Sequence, residues 1–375
     1  MTMANIIDYL DWRGDVSLRE DPFNAVDNLV LSWMAYVNLD EIMPKEFGSE
    51  SMTIKEVVNL FFTKYDLEEK LSEKSLTRTS ALLFYKMGDC PRFANMRISN
   101  YVNYISEELE QQFSAMTIEI DEKTMYIAYR GTDDTIVGWK EDFNMSFLPF
   151  VPSQEAAVRY LEATMKSRNW RKRIIVGGHS KGGNLAVYAS IKCNKAIRRK
   201  IIQVYNNDGP GFLEETMQLA EYQEMLPRIR TIVPESSVVG MLLGHEEQYD
   251  VVVSSQKGIL QHDAATWEVQ RNDFIYLESV SDSSMRLDKA LKKWLSAQNE
   301  AQRRLFVEQI FALLEATGAK TTLELAAMGL KNANQVIRAM ANMDPEVRQK
   351  LREFVRALIE ITSDERKALR SKDME

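Results

Sequence analysis

Residues 174–189 read IIVGGHSKGGNLAVYA, and this is the most informative stretch of the chain. An apolar, β-prone run breaks at a G-x-S-x-G turn around Ser180, and small and apolar residues at helical spacing follow at once. A glycine-rich turn with a structural serine would explain the motif alone, but it would not explain the strand before the turn and the helix after it. The pattern therefore predicts a strand, a sharp turn at Ser180 and a helix.

This order of elements is typical of the nucleophile elbow of an α/β-hydrolase. The serine hydroxyl must project above the sheet from a tight turn. Side chains at Gly178 and Gly182 would collide with the neighbouring strand or helix, which explains the two glycines. The first amides of the following helix point toward the place where an oxyanion would form. We therefore interpret Ser180 as a candidate nucleophile.

Composition narrows the class of protein. The 375 residues suffice for one large or two ordinary domains, and the net charge of -8 argues against nonspecific binding of nucleic acid. No apolar run approaches the length of a membrane span, and acidic residues interrupt the N-terminal region where a leader would lie. Cys90 and Cys193 form no disulfide framework or metal motif, which favours a cytoplasmic location. With three histidines in all, a histidine-rich zinc site is nearly excluded, and no cofactor is expected.

The hydrophobic pattern divides the chain into three parts. Residues 1–110 are predicted to form a helical segment packed on the core, residues 111–283 an α/β core, and residues 284–375 a helical extension. The core begins with a hairpin and continues with alternating helices and strands, which predicts a mostly parallel sheet with helices on both faces. The predicted strands are residues 113–120, 125–129, 173–177, 201–206, 229–233, 249–253 and 266–269, and the predicted helices are 154–167 and 182–193.

A serine nucleophile needs a histidine base, and the base must be one of the three histidines of the chain. His179 adjoins Ser180 on the elbow, so we expect its role to be structural. His262 lies in a loop between two β-like runs, late in the chain, where the base of an α/β-hydrolase is found. His245, in the sequence GHEE, is expected in a solvated loop. The preferred base is therefore His262.

The acid that orients the histidine is harder to choose. Asp208 follows the predicted strand 201–206 in a tight NDGPG turn, and ligand chemistry gathers at the carboxyl ends of such strands. Glu235 ends the next strand and is the alternative acid. Asp263 adjoins His262, which is poor geometry for a bond to its ring. Asp208 is also a common turn residue, so a purely structural role is the competing explanation.

Two backbone amides would form an oxyanion hole. Lys181, the residue after the serine, supplies one of them. The loop after the strand 125–129 reads RGTDD, and Gly131 lets its backbone approach closely, so Thr132 is the candidate for the second. Asp133 and Asp134 could instead suggest a cation site, but two adjacent acids without further spaced ligands are weak evidence for one.

Several motifs resemble those of class 3 lipases. The stretch AYRGT at 128–132, followed by WKED at 139–142, is similar to their F-R-G-[ST]…W-x-x-D signature. The resemblance implies that Thr132 helps to form the oxyanion hole and that the segment after Trp139 leads into a mobile lid. The sequence NDGPGF at 207–212 is similar to the turn that carries the acid in pancreatic-type lipases. Class 3 lipases carry an aspartate one strand later, where this chain has Glu235 and no aspartate.

The chain also resembles a mainly Firmicute, hence bacterial, family of α/β-hydrolase-like proteins of unknown function, sometimes labelled Mbeg-like. The resemblance spans about residues 80–275 and implies the same fold without a known substrate. It is carried by the sequences QFSA at 112–115, RGTD at 130–133, GHSKGGN at 178–184 and QHD at 261–263.

The functional expectation is hydrolysis of a carboxylic ester through an acyl-enzyme. Ser180 attacks, His262 moves the proton, and Asp208, with Glu235 as the alternative acid, holds the imidazolium. The acyl group could belong to a lipid, a small ester or a thioester. An apolar stretch suits either a lid over an acyl pocket or a buried core segment; its residues are Phe143, Met145, Phe147, Leu148 and Phe150. The alternative is a weakly active or silent hydrolase-like scaffold whose helical extensions bind a protein partner.

Overall fold

The structure is a computed structural model that describes most of the first 315 residues. It covers residues 4–315 apart from 49, 74, 76, 134–135, 146–147, 149, 167–168, 283, 287–288 and 290–298, together with 345 and 348–349. Of the predicted C-terminal extension, a helix over Glu300–Glu315 is described. The helices expected between 321 and 359 lie outside the described residues.

A nine-stranded mixed sheet forms the centre of the molecule. Strands β4 to β8 are parallel to one another, and antiparallel strands flank them at both edges. The order is β1-β2-β3-β4-β5-β6-β7-β8-β11, and β9 and β10 form a separate two-stranded ribbon. The strands are β1 Met52–Thr53, β2 Arg97–Ser106, β3 Gln111–Glu119, β4 Thr124–Tyr129, β5 Arg173–His179, β6 Ile201–Asn207, β7 Ile229–Pro234, β8 Tyr249–Val252, β9 Val269–Gln270, β10 Asp273–Phe274 and β11 Tyr276–Leu277.

Helices cover both faces of this sheet. The first six are α1 Ile6–Arg13, α2 Ala25–Met34, α3 Ile54–Lys64, α4 Leu67–Ser72, α5 Thr79–Met87 and α6 Pro91–Ala94. The others are α7 Ile136–Asn144, α8 Pro152–Thr164, α9 Lys181–Lys192, α10 Lys195–Arg198, α11 Glu214–Met217, α12 Ala220–Met225 and α13 Glu300–Glu315. Among the described residues, no helix combines the length and the apolar composition needed to cross a membrane.

The two faces of the sheet belong to two separate hydrophobic cores. Side chains of a strand alternate between faces, so Tyr126 and Ala128 of β4 pack in one core, while Met125 and Ile127 pack in the other. The first core includes the buried residues of α1, α2, α3 and α5, and the second includes those of α8, α9 and α12. The predicted α/β architecture, with a largely parallel sheet covered on both sides, is therefore confirmed.

One stretch of the N-terminal part was assigned wrongly from its sequence. Residues 97–106 fall in the segment predicted to be helical, but they form β2, which pairs with β3. The register shifts between Ser99 and Val102, and Asn100 has a left-handed φ of 53°. This irregularity breaks the two-residue alternation that marks a strand, so the apolar residues fall at nearly helical spacing.

The predicted strand over 266–269 is also wrong for the most part. Thr266 ends a 3-10 helix over Ala264–Thr266, which begins after Asp263 and is capped by that side chain at the amide of Ala265, 2.9 Å away. Trp267 makes one isolated bridge to Ser254. The edge of the large sheet is instead β11, ten residues later in the chain than the predicted start.

Candidate active site

Ser180 lies between β5 and α9 in a strained turn. Its φ of 57° and ψ of -133° are unusual for a residue with a side chain, and such a conformation costs on the order of 1–3 kcal/mol. The space is also tight, because a Cβ on Gly178 would lie 2.3 Å from the backbone of Gly182, and one on Gly182 would lie 2.1 Å from the carbonyl oxygen of Tyr129. The two glycines of the motif are therefore needed where the strand, turn and helix meet.

The structure brings three of the predicted site residues together. The Nε2 atom of His262 lies 2.9 Å from the Oγ atom of Ser180, and its Nδ1 atom lies 2.6 Å from the Oδ2 atom of Asp208. Asp208 and Ser180 are buried, while 27% of the His262 side chain is exposed. The serine, imidazole and carboxylate thus form one continuous chain of hydrogen bonds that remains accessible from solvent at its histidine.

The alternative acid, Glu235, occupies a different position. It follows β7, where its amide donates to Val252 at 3.1 Å and its carbonyl oxygen accepts from the amide of Ser281 at 2.8 Å. Among the described residues, the carboxylate that reaches the His262 ring is that of Asp208. Asp208 takes this place because it directly follows β6 in a left-handed conformation, with φ of 50°.

The second carboxylate oxygen of Asp208 is held by residues that the sequence did not single out. Oδ1 accepts a hydrogen bond from the Ser237 hydroxyl and another from the Gly240 amide, 3.2 Å away. Both donors lie in the loop after β7. Because the carboxylate is bound at both oxygens, it presents Oδ2 to His262 in a fixed direction.

His245 lies in a loop, as predicted, but its side chain is not solvated. Only 7% of it is exposed, and both ring nitrogens have partners. Nδ1 lies 3.0 Å from Oε1 of Glu247, and Nε2 lies 2.7 Å from the carbonyl oxygen of Gly240. The expectation of a solvated histidine is wrong because the loop packs against the segment that follows β6, where Phe212 and Gly244 form an isolated bridge.

His179 has the structural position expected of it, and it supports the histidine of the candidate triad. Burial lowers the pKa of its imidazole well below the usual value, and the neighbouring His262 acts in the same direction, so the ring is neutral. Its Nε2 lies 2.8 Å from the carbonyl oxygen of His262, and its Nδ1 lies 2.9 Å from the hydroxyl of Tyr36. Because a carbonyl only accepts, Nε2 carries the single proton and the Tyr36 hydroxyl donates to Nδ1. Tyr36, just after α2, therefore helps to fix the backbone of His262.

Replacing Tyr36 with phenylalanine tests this support. The change leaves a buried ring nitrogen of His179 without a donor, so we expect a loss of about 1–3 kcal/mol in the free energy of unfolding. The matched control is Tyr85→Phe, because Tyr85 is 47% exposed. Urea unfolding of both variants checks the prediction. Equal stability of the two variants would show that the hydroxyl of Tyr36 does not hold the imidazole.

The two candidate oxyanion amides lie on segments that meet at Ser180. A Cβ on Gly131 would lie 2.5 Å from the carbonyl oxygen of His179 and 3.0 Å from the Cβ of Ser180, so the loop carrying Thr132 is pressed against the elbow. Among the described residues, neither the amide of Thr132 nor that of Lys181 donates to another group. Both amides therefore remain available as donors to a bound oxygen.

The side chains of these two residues are tied to successive positions of α7. The Thr132 hydroxyl donates to Oδ2 of Asp142 at 2.6 Å, and the Lys181 ammonium lies 3.0 Å from Oε2 of Glu141. The same ammonium donates to the carbonyl and side-chain oxygens of Gln112, so this fully buried charge has three partners. Burial raises the pKa of the Asp142 carboxyl to about 6, against the lowering effect of the Lys181 charge. Helix α7 thereby holds the side chains of both residues whose amides are candidates for the oxyanion hole.

The segment after Trp139 is at least partly core. Met145 is buried and Leu148 packs against the same core as α8 and α9, whereas Phe150 is 46% exposed. Phe147 and the side chain of Phe143 lie outside the described residues. Asp133 lies 3.6 Å from the Arg130 guanidinium, and Asp134 is outside the description. Where the structure describes the chain, no group of three or more His, Cys, Asp or Glu side chains could hold a metal ion.

Comparison with known proteins places the chain in a family. The model of the Mbeg1-like family matches residues 87–312, more than half of the sequence. The chain belongs to the Mbeg1-like family. The Mbeg1-like region contains Ser180, Asp208 and His262 and begins at the last residue of α5. A search of curated proteins finds no match.

Solved structures similar to this Mbeg1-like chain include three fungal lipases. A fungal lipase in complex with an inhibitor is 18% identical, with 63% of this chain and 91% of that chain covered and a TM-score of 0.35. The Rhizomucor miehei lipase with its propeptide is 18% identical, with coverages of 64% and 80% and a TM-score of 0.35. Lipase II from Rhizopus niveus is 16% identical, with coverages of 60% and 88% and a TM-score of 0.34. The strand order of this chain and its turn at Ser180 define the fold.

Proposed function

We propose that this protein is a serine hydrolase that cleaves a carboxylic ester through an acyl-enzyme. The observation that carries the proposal is the pair of hydrogen bonds from Ser180 to His262 and from His262 to Asp208, 2.9 and 2.6 Å long, at a strained strand-to-helix turn. Strain at a buried polar residue is typical of functional sites, since a fold has no other reason to maintain it. A silent scaffold is disfavoured by the 2.6 Å contact between His262 and Asp208, because this carboxylate is a candidate for the acid that is missing from the class 3 position.

The proposed reaction has two steps. The Ser180 hydroxyl attacks the ester carbonyl carbon as His262 takes its proton at Nε2, and Asp208 stabilises the resulting imidazolium through Nδ1. The carbonyl oxygen becomes an oxyanion that accepts from the amides of Thr132 and Lys181. The intermediate then expels the alcohol, which takes the proton from His262. Water repeats the sequence on the acyl-serine and releases the carboxylic acid, so the enzyme returns unchanged.

This chemistry implies that the substrate is an acyl ester, which is either a lipid ester or a small ester. A series of p-nitrophenyl esters, from acetate to palmitate, separates these two possibilities, because only a long apolar site gains affinity with each added methylene. A maximum at acetate or butyrate would favour a small ester, and a maximum at octanoate or longer would favour a lipid.

The His262→Ala variant tests the function itself. Without a base the serine hydroxyl is a poor nucleophile, so we expect kcat for p-nitrophenyl ester hydrolysis to fall by about 10³-fold or more. The matched control is Leu260→Ala, because Leu260 is 60% exposed in the same 3-10 helix over Gly258–His262. The control should hydrolyse the ester at nearly the wild-type rate. Wild-type turnover in the His262 variant would exclude the proposed mechanism.

A further inference from the structure

The imidazole of His245 faces a hydrogen-bond acceptor on each side. Its Nδ1 lies 3.0 Å from a carboxylate oxygen of Glu247, and its Nε2 lies 2.7 Å from the carbonyl oxygen of Gly240. Neither partner can donate a proton, since one is a carbonyl and the other an ionised carboxylate. Both contacts are hydrogen bonds only when both ring nitrogens carry protons. The geometry therefore calls for a positively charged His245.

The environment of Glu247 is built for its charged form. Although burial acts to raise it, the pKa of the Glu247 carboxyl is lowered to about 2, because His245 and two hydroxyl groups donate to it. The hydroxyls are those of Thr231 in β7, 2.6 Å away, and Tyr222 in α12, 2.7 Å away. A buried carboxylate with three donors is a stable counter-charge for an imidazolium. Glu246, the residue before Glu247, accepts a hydrogen bond from the exposed Gln223 instead.

Gly240 connects this ion pair to the candidate acid. Its carbonyl oxygen accepts from His245, and its amide donates to Oδ1 of Asp208 at 3.2 Å. The approach is close, because a Cβ at position 240 would lie 2.3 Å from that same carboxylate oxygen. A glycine has two freely rotating backbone torsions, so its amide keeps one direction only if neighbouring groups hold it. The bond from His245 holds the carbonyl side of Gly240, and the bond from the Leu242 amide to the carbonyl oxygen of Val239, 3.0 Å long, holds the peptide unit that carries the Gly240 amide.

We propose that the His245–Glu247 ion pair is a positioning unit for the acid of the triad, acting through Gly240. This inference rests on the proposed function. Within it, His262 performs the proton transfer, His179 holds the backbone of His262, and His245 holds the residue that orients Asp208. The three histidines of the chain then support a single acid–base site. No sequence pattern indicates this link, because His245 and Asp208 are 37 positions apart and are joined through a glycine backbone.

The protonation state of His245 tests the inference without any assay of activity. Imidazole ¹⁵N NMR on protein labelled at its three histidines resolves each ring, and the His245→Gln variant assigns the signals that disappear. We expect two protonated nitrogens on His245 at pH 7. In Glu247→Gln the partner at Nδ1 is neutral, so the charged form of the ring loses its counter-ion and we expect the ring to lose a proton. A neutral His245 at pH 7 in the wild-type protein would overturn the ion pair.

Kinetics of Glu247→Gln, with Glu246→Gln as the matched control, test the positioning role. The two variants make the same chemical change at adjacent positions, one buried and one exposed. Small misplacement of a reacting group can cost about 10²-fold in rate, so we expect kcat to fall by about 10- to 100-fold in Glu247→Gln with KM nearly unchanged. The acidic limb of the kcat/KM profile should also move to lower pH, because a poorly aligned Asp208 stabilises the imidazolium of His262 less. Glu246→Gln should change neither quantity.

A second variant covers the case in which Glu247→Gln does not fold. Tyr222→Phe removes one of the three donors to Glu247 and should shift kcat and the pH profile in the same direction by a smaller factor. A folded Glu247→Gln protein with wild-type kcat and pH profile would overturn the positioning role. If the wild-type protein hydrolyses no ester, the proposed function fails, and the NMR result alone then decides whether the charged pair exists.

Discussion

Ser180→Ala is expected to abolish labelling by a fluorophosphonate and to reduce ester hydrolysis on the order of 10⁶-fold in kcat. The loss is large because the covalent step has no substitute nucleophile. The remaining turnover would come from substrate binding and the oxyanion amides alone. The variant should fold, since the only side-chain hydrogen bond that the Ser180 hydroxyl makes among the described residues is the one to His262.

The matched control is another buried serine on the helix that follows the elbow. Ser190→Ala removes a hydroxyl that bonds to the carbonyl oxygen of Ala186 within α9, and among the described residues no hydrogen bond of this hydroxyl joins it to Ser180, His262 or Asp208. We expect Ser190→Ala to label and turn over like the wild-type protein. Retained labelling in Ser180→Ala, or equal losses in both variants, would mean that Ser180 is not the nucleophile.

Asp208→Asn should reduce kcat by about 10⁴-fold while the protein stays folded. An asparagine tolerates the left-handed backbone at this position, and its side-chain oxygen can still accept from Ser237 and Gly240. Its amide group would then face Nδ1 of His262 as a donor. The imidazole would be forced to carry its proton on Nε2, the atom that must accept the proton from Ser180. The wrong tautomer thus blocks the base without disturbing the packing.

Glu235→Gln is the control for this prediction, because Glu235 was the alternative acid of the sequence analysis. We expect a change of less than about threefold, since among the described residues the carboxylate bound to His262 is that of Asp208 and not that of Glu235. The measurement is kcat/KM for a p-nitrophenyl ester together with the thermal unfolding curve of each variant. A severe loss in Glu235→Gln beside a mild one in Asp208→Asn would reverse the assignment of the acid.

Much of the architecture was predictable because local pattern and global fold agree. The turn at Ser180 is specified by Gly178 and Gly182, because neither position has room for a side chain. The hairpin and the alternation of helices and strands follow from clean periodicity, and parallel strands bring their carboxyl ends to one edge. Asp208 and His262 could be nominated for this reason, since each follows or precedes a predicted strand near that edge.

The remaining features depend on contacts that no local pattern records. The register shift near Asn100 hid β2, because it removes the alternation by which a strand is recognised. Tyr36 reaches His179 across 143 positions of sequence, and the burial of His245 depends on packing of its loop against the segment that follows β6. Glycine and charged residues are typical of solvated loops, so the sequence GHEE did not indicate that His245 is buried.

Peptide mapping after covalent labelling shows directly whether Ser180 is the activated nucleophile. The wild-type protein is treated with one equivalent of a fluorophosphonate, digested with trypsin and analysed by mass spectrometry. Cleavage after Arg173 and Lys181 gives the peptide IIVGGHSK, in which Ser180 is the only hydroxyl residue. We expect a single adduct on this peptide, reduced in the His262→Ala and Asp208→Asn variants. An adduct on any other peptide, or a wild-type protein that takes no label, would contradict it.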